Sequence, residues 1–163
     1  MTLPKVEKGE KNANWLVDLS NLIQILVQNN NGEDATEYIK ENYQDAEKLL
    51  VQRRDIAAQM LYSWGKIVIM NTASGENYLL ALELMDRAIK QIQSRRKVYH
   101  QEERAALAEE YDLILRDYLC FAGAYYSAKD LNIEVKEKLK VSILEKMSIC
   151  LPLSIIEHQF TTL

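Results

Sequence analysis

NYLLALELMDRAIKQI, residues 77–92, is the stretch whose reading decides the fold. Tyr78, Ala81, Met85, Ala88 and Ile89 fall at i, i+3, i+7, i+10 and i+11, the spacing that lines one face of an α-helix. Glu83, Asp86, Arg87 and Lys90 then turn towards water. Two alanines on the inner face let a neighbouring helix approach closely, so this helix is a packing unit that needs partners on both sides. The fold is therefore all-α.

The rest of the chain agrees. Before it, Asn14 is the expected N-cap of a first helix running to about Gln28, with Leu16, Leu19, Leu22, Ile23, Leu26 and Val27 inward. Asn29, Asn30, Asn31 and Gly32 stop that helix, because Asn and Gly tolerate the left-handed backbone of a helix end. Asp34 and Glu37 read as a capping box for the second helix. From Ala35 to about Met70 helical spacing persists through Ile39, Tyr43, Ala46, Leu61, Trp64 and Val68; this stretch reads as either one very long helix or, the reading we favour, two broken near Asn42–Asp45 or Arg53–Asp55. After residues 77–92 the apolar period fails at 93–101, where the chain turns. A long helix from Glu102 to Ser127 then carries Tyr111, Tyr118 and Tyr125 every seven residues, a packing seam with hydroxyls at its edge. Asp130 or Asn132 caps the next helix, which runs to about Cys150 with Ile133, Val135, Leu139, Ile143, Leu144 and Met147 as its face. Pro152 breaks it, and Ser154 with Glu157 caps a short terminal turn. Residues 1–13, polar with Pro4 and Gly9, read as a flexible segment ahead of one helical domain over 14–163.

Composition narrows the function. A length of 163 residues suits one sizeable core, and only two prolines, Pro4 and Pro152, leave the interior free for long helices. A net charge of −4 argues against general attraction to nucleic acid or to an anionic membrane. No apolar run approaches the ~20 residues needed to cross a bilayer. Cys120 and Cys150, each in an apolar run, read as buried free thiols in a reducing, cytoplasmic setting. Two histidines, His100 and His158, and two cysteines thirty apart have no zinc-ligand spacing, so we expect no metal and no cofactor. No phosphate loop or nucleophile elbow occurs.

Two helices repeat a phrase. Leu61, Trp64, Gly65 and Val68 stand at relative positions 0, 3, 4 and 7, as do Leu119, Ala122, Gly123 and Tyr126. A glycine inside a helix costs about 1 kcal/mol against alanine, so each should allow a close helix approach. Tyr78, Ala81, Met85 and Ala88 come after the first phrase, and Val135, Leu139 and Ser142 after the second. With this order the chain resembles the tetratricopeptide repeat family, whose first helix carries a large residue, Leu-Gly and Tyr, and whose second carries Tyr, Ala, Phe and Ala. Gly65 to Ala81 is about one helical turn longer than in that family, and the second copy lacks the Tyr before Val135. The resemblance implies five to seven antiparallel helices stacked as a short tetratricopeptide-like array of hairpins.

Stacked hairpins leave a curved surface suited to a peptide or another protein. The expected function is accordingly a non-catalytic scaffold. Residues that could meet a protein or peptide partner are Tyr62, Trp64, Tyr118, Tyr125 and Tyr126, with the basic group Lys90, Arg95, Arg96 and Lys97 offering a patch for acidic segments. The tyrosines and Trp64 serve equally well as core. A structural subunit that self-associates into a homo-oligomer is one alternative. The other rests on Arg95 and His100, whose spacing resembles the Arg-x4-His motif of the HEPN family of helical RNA-cleaving proteins. That resemblance implies acid/base work for His100 and phosphate binding by Arg95. Against it, cations at a helix C-terminus are favoured by the macrodipole alone, by about 0.3–1 kcal/mol.

Overall fold

The computed structural model describes residues 11–71, 75–96, 101–128 and 131–150, the side chains of 95–96, 101–108 and 149–150 excepted. Six helices make up the described chain: α1 (Ala13–Gln28), α2 (Gly32–Leu49), α3 (Arg54–Met70), α4 (Gly75–Arg96), α5 (Gln101–Tyr126) and α6 (Ile133–Cys150). The all-α class with five to seven helices is thus observed. No described helix is long and apolar enough to cross a membrane. The chain divides into two compact units, Met1–His100 and Gln101–Leu163.

In the first unit each helix packs on its neighbour in sequence, and α3 with α4 is the most extensive pair. Asn12, not Asn14, caps α1: its side-chain oxygen accepts from the Trp15 amide at 3.1 Å. The cap sits one residue before the helix, where its own backbone is extended, whereas Asn14 is already helical. At the other end Asn30 adopts φ 58, and the amides of Asn30 and Asn31 reach back to the carbonyls of Val27 at 3.2 Å and Leu26 at 2.8 Å. This pair of bonds around one left-handed residue is the Schellman arrangement, built with asparagine. Gly32 plays a different part from the one expected. It lies within α2 with negative φ, and a Cβ there would overlap the Asn71 side chain at the C-cap of α3. Its value is space between two helix ends.

Asp34 falls in the first turn of α2 rather than at its cap. The Asn31 side chain donates to Asp34 at 2.8 Å and makes no cap bond, while Glu33 and Asp34 sit at the positive end of the helix. Of the two expected breaks the chain uses the later one: Leu50 to Arg53 turn with an Arg53 amide to Leu50 carbonyl bond of 2.9 Å. No Gly or Pro takes part.

The most extensive helix contact in the first unit's core is between α3 and α4. Ala57, Ala58, Leu61, Trp64 and Val68 from α3 meet Ala81, Leu82, Leu84, Met85, Ala88, Ile89 and Ile92 from α4, all buried. Gly65 is where the two backbones come nearest: a Cβ there would stand 3.1 Å from Met85 Cγ, 3.2 Å from the Ala81 carbonyl oxygen and 3.4 Å from Leu84 Cβ. Burial on α4 spreads beyond the five positions that define its inner face, and Tyr78 is only half-buried.

In the second unit α5 packs on α6. Asn132 takes the capping role, accepting from the Glu134 amide at 3.0 Å. Tyr111, Ile114, Leu115, Tyr118 and Ala122 are buried, and the Tyr118 hydroxyl shares a 2.5 Å hydrogen bond with Ser142. The seam reading therefore holds at Tyr111 and Tyr118. Three expectations do not hold. A Cβ on Gly123 would meet nothing within 4 Å, so this glycine marks no close approach. Cys120 is exposed, because it sits on the solvent side of the helix that buries Tyr118 and Ala122. On α6 only Leu139 of the expected apolar face is fully buried; Ile133, Leu144 and Met147 are exposed, and Lys146 takes the inward position with its ammonium 5.2 Å from the Tyr118 ring centre. The Cys150 side chain and the expected capping box at Ser154 and Glu157 lie outside the described residues.

Candidate partner-binding groove

Helices α2 and α4 run alongside one another with side chains, more than backbone packing, spanning the interval. Three rungs cross it. Lys40 Nζ lies 3.4 Å from Glu76 Oε1, the Tyr43 hydroxyl donates to Glu83 Oε1 at 3.2 Å, and Arg87 Nη1 lies 3.4 Å from both carboxylate oxygens of Glu47. Arg87 is the centre of this arrangement. Its Nε and Nη2 donate to Glu83 at 3.3 Å, and its guanidinium carbon stands 5.2 Å from the Tyr43 ring centre, within cation–π range. Burial alone pulls the Arg87 pKa down, but Glu47, Tyr43 and Glu83 outweigh it and hold it above the usual arginine value. At the edge, Lys11 Nζ reaches Asp45 at 2.6 Å and keeps that carboxyl below its ordinary pKa, through the hydrogen bond first and the charge second.

The rungs divide the surface into two adjoining clefts of about 460 and 420 Å³. Glu47, Val51, Arg54, Asp86, Arg87 and Lys90 are among the residues lining the first, while Lys40, Glu41, Asp45, Glu76, Leu79 and Leu80 are among those lining the second; Glu83 lines both. Charges of both signs line a strip that has apolar contacts at Val51, Leu79 and Leu80. Such a strip can receive side chains of an extended or helical segment; among the described residues no group of three or more His, Cys, Asp or Glu is placed to hold a metal ion.

The residues singled out from the sequence scatter. Lys90 lines the first cleft, with Nζ 2.9 Å from Asp86. Trp64 and Tyr118, 4% and 3% exposed, are core residues and offer a partner no surface. Tyr62, half-buried on α3 beneath Lys66 Nζ at 5.1 Å, lines neither cleft. Tyr125 and Tyr126 belong to the second unit and are half-buried, with Lys136 Nζ 5.5 Å from the Tyr126 ring centre. Arg95 and Arg96 fall in the last turn of α4, and Lys97 and His100 lie outside the described residues. Glu47, Arg54, Glu83 and Arg87 were not among the residues expected. Glu83 and Arg87 are readable as an i, i+4 pair, but Glu47 lies forty residues from Arg87 and nothing local links them.

Compared with protein-family models, with curated proteins and with solved structures, the chain finds no match.

Proposed function

We propose that the chain is a non-catalytic interaction module that holds a segment of a protein or peptide partner along the α2–α4 groove. The observation that carries this reading is the pair of clefts meeting at Glu83, on a surface kept in shape by the partly buried network of Arg87. A preorganised groove loses less free energy on binding than one that must be ordered first. The succession α1 with α2 and α3 with α4 supports treating the first unit as two tetratricopeptide-like hairpins, the arrangement whose surface receives peptides. The exposed free thiol of Cys120 suits a reducing cytoplasm.

The test is recovery of partners on the tagged protein from native extract, with and without added nuclease, beside an Arg54→Glu/Lys90→Glu variant. Both side chains line the first cleft. A protein retained in both arms and lost with the variant is the expected result. Recovery of RNA alone, abolished by nuclease, overturns the reading and directs attention to Arg95 and His100.

A further inference from the structure

Among the described residues, one face of α6 packs on α5 and the other is exposed. Leu139, Ser142 and Lys146 turn inward, the last two meeting Tyr118 of α5. On the opposite side Ile133, Val141, Leu144 and Met147 are 79%, 54%, 55% and 50% exposed. Isolated apolar residues on a surface need no explanation, but four on one helix require one. Glu137, Val141, Leu144 and Ser148 are spaced i, i+4, i+7, i+11, a two-helix seam at heptad spacing, polar at both ends and apolar at the centre.

We propose that this face is covered by the same face of a second copy, α6 against α6 in antiparallel orientation about a two-fold axis between Val141 and Leu144. In such an isologous contact residue i meets j and j meets i. The chemistry of the seam is self-complementary in this register. Val141 meets Leu144 of the other copy, twice, and Glu137 faces Ser148. Lys138 and Glu145 share one flank of the seam, and inversion brings Lys138 to within about 3 Å, along the axis, of Glu145 on the other copy. Two intermolecular ion pairs result. Within its own chain Lys138 pairs with Glu134 at 3.7 Å, with both side chains more than three-quarters exposed, so it is available for exchange. The parallel alternative is disfavoured by charge, because it sets Glu137 against Glu137 across the seam. This contact is separate from the α2–α4 groove and does not depend on the partner proposed there.

Sedimentation equilibrium of the full chain over a concentration series tests the proposal. The wild type associates to a dimer; Leu144→Glu weakens the dimer about tenfold or more. Because Leu144 is exposed, helical content by circular dichroism stays unchanged in that variant. Lys138→Glu and Glu145→Lys each weaken association, and the double charge swap restores it. A monomeric wild type up to about 100 μM, well above ordinary specific affinities, overturns the proposal. So does a dimer indifferent to Leu144→Glu, or a charge swap that fails to rescue.

Discussion

Gly65 and Gly123 occupy the same place in a repeated phrase, yet structure separates them. Replacing Gly65 with Ala puts a methyl 3.2 Å from the Ala81 carbonyl, a backbone atom with little freedom to move. We expect Gly65→Ala to destabilise by about 1–2 kcal/mol, the overpacking cost exceeding the gain in helix propensity. Gly123→Ala meets no atom within 4 Å and should stabilise by about 0.5–1 kcal/mol. Urea midpoints for the two variants should therefore move in opposite directions. Sequence alone treats the two glycines alike, because the approach of another helix is not written in the phrase. The cap at Asn12 is a similar case: several asparagines precede the first apolar positions, and which one is extended depends on where the helix begins. Asn12→Ala should cost about 1 kcal/mol, read from the same denaturation curve, while Asn14→Ala should cost little.

Helices α2 and α4 depend on long-range polar pairing that neither helix announces. Arg87 connects Glu47 on one with Glu83 on the other, and it is partly withdrawn from water. A double-mutant cycle on Arg87→Ala and Glu47→Ala should give a coupling of about 1 kcal/mol or more. The same cycle on the exposed pair Lys138 and Glu134 should give close to zero. The difference is desolvation, which strengthens a charge pair only where solvent is displaced. Element identity was readable from period: α1, α3, α4 and α5 carry long apolar series. Element boundaries were less so, since the turn at Leu50 to Arg53 contains no Gly or Pro and ends α2 by the geometry of packing on α3.

At the scale of the whole molecule, one carboxyl among the described residues has a clear downward shift and so adds a small pH-dependent contribution to stability. Asp45 has its folded pKa depressed by Lys11, so its contribution is present above the unfolded carboxylate value and fades as pH falls through the folded one. Asp45→Asn should leave stability flatter than the wild type below about pH 4, and added salt should shrink the difference because the pair is exposed. Chemical denaturation at pH values on both sides of this range checks it. The net charge of −4 likewise predicts no measurable general affinity for single-stranded RNA at about 0.15 M salt, read by fluorescence anisotropy.

By itself the sequence determined that this chain is helical, that it holds five to seven helices and which face of α4 carries the core. Those properties arise from local periodicity, and Ala81, Met85, Ala88 and Ile89 bury as their spacing requires. Tertiary structure decided which side chains are a surface and which are not. Trp64 and Tyr118 vanish into packing, Leu144 and Met147 emerge from it, and Glu47 finds Arg87 across forty residues. A helix period says that one side will be covered. Only the positions of the neighbouring helices say how much of it is, and which polar groups meet in the gap they leave.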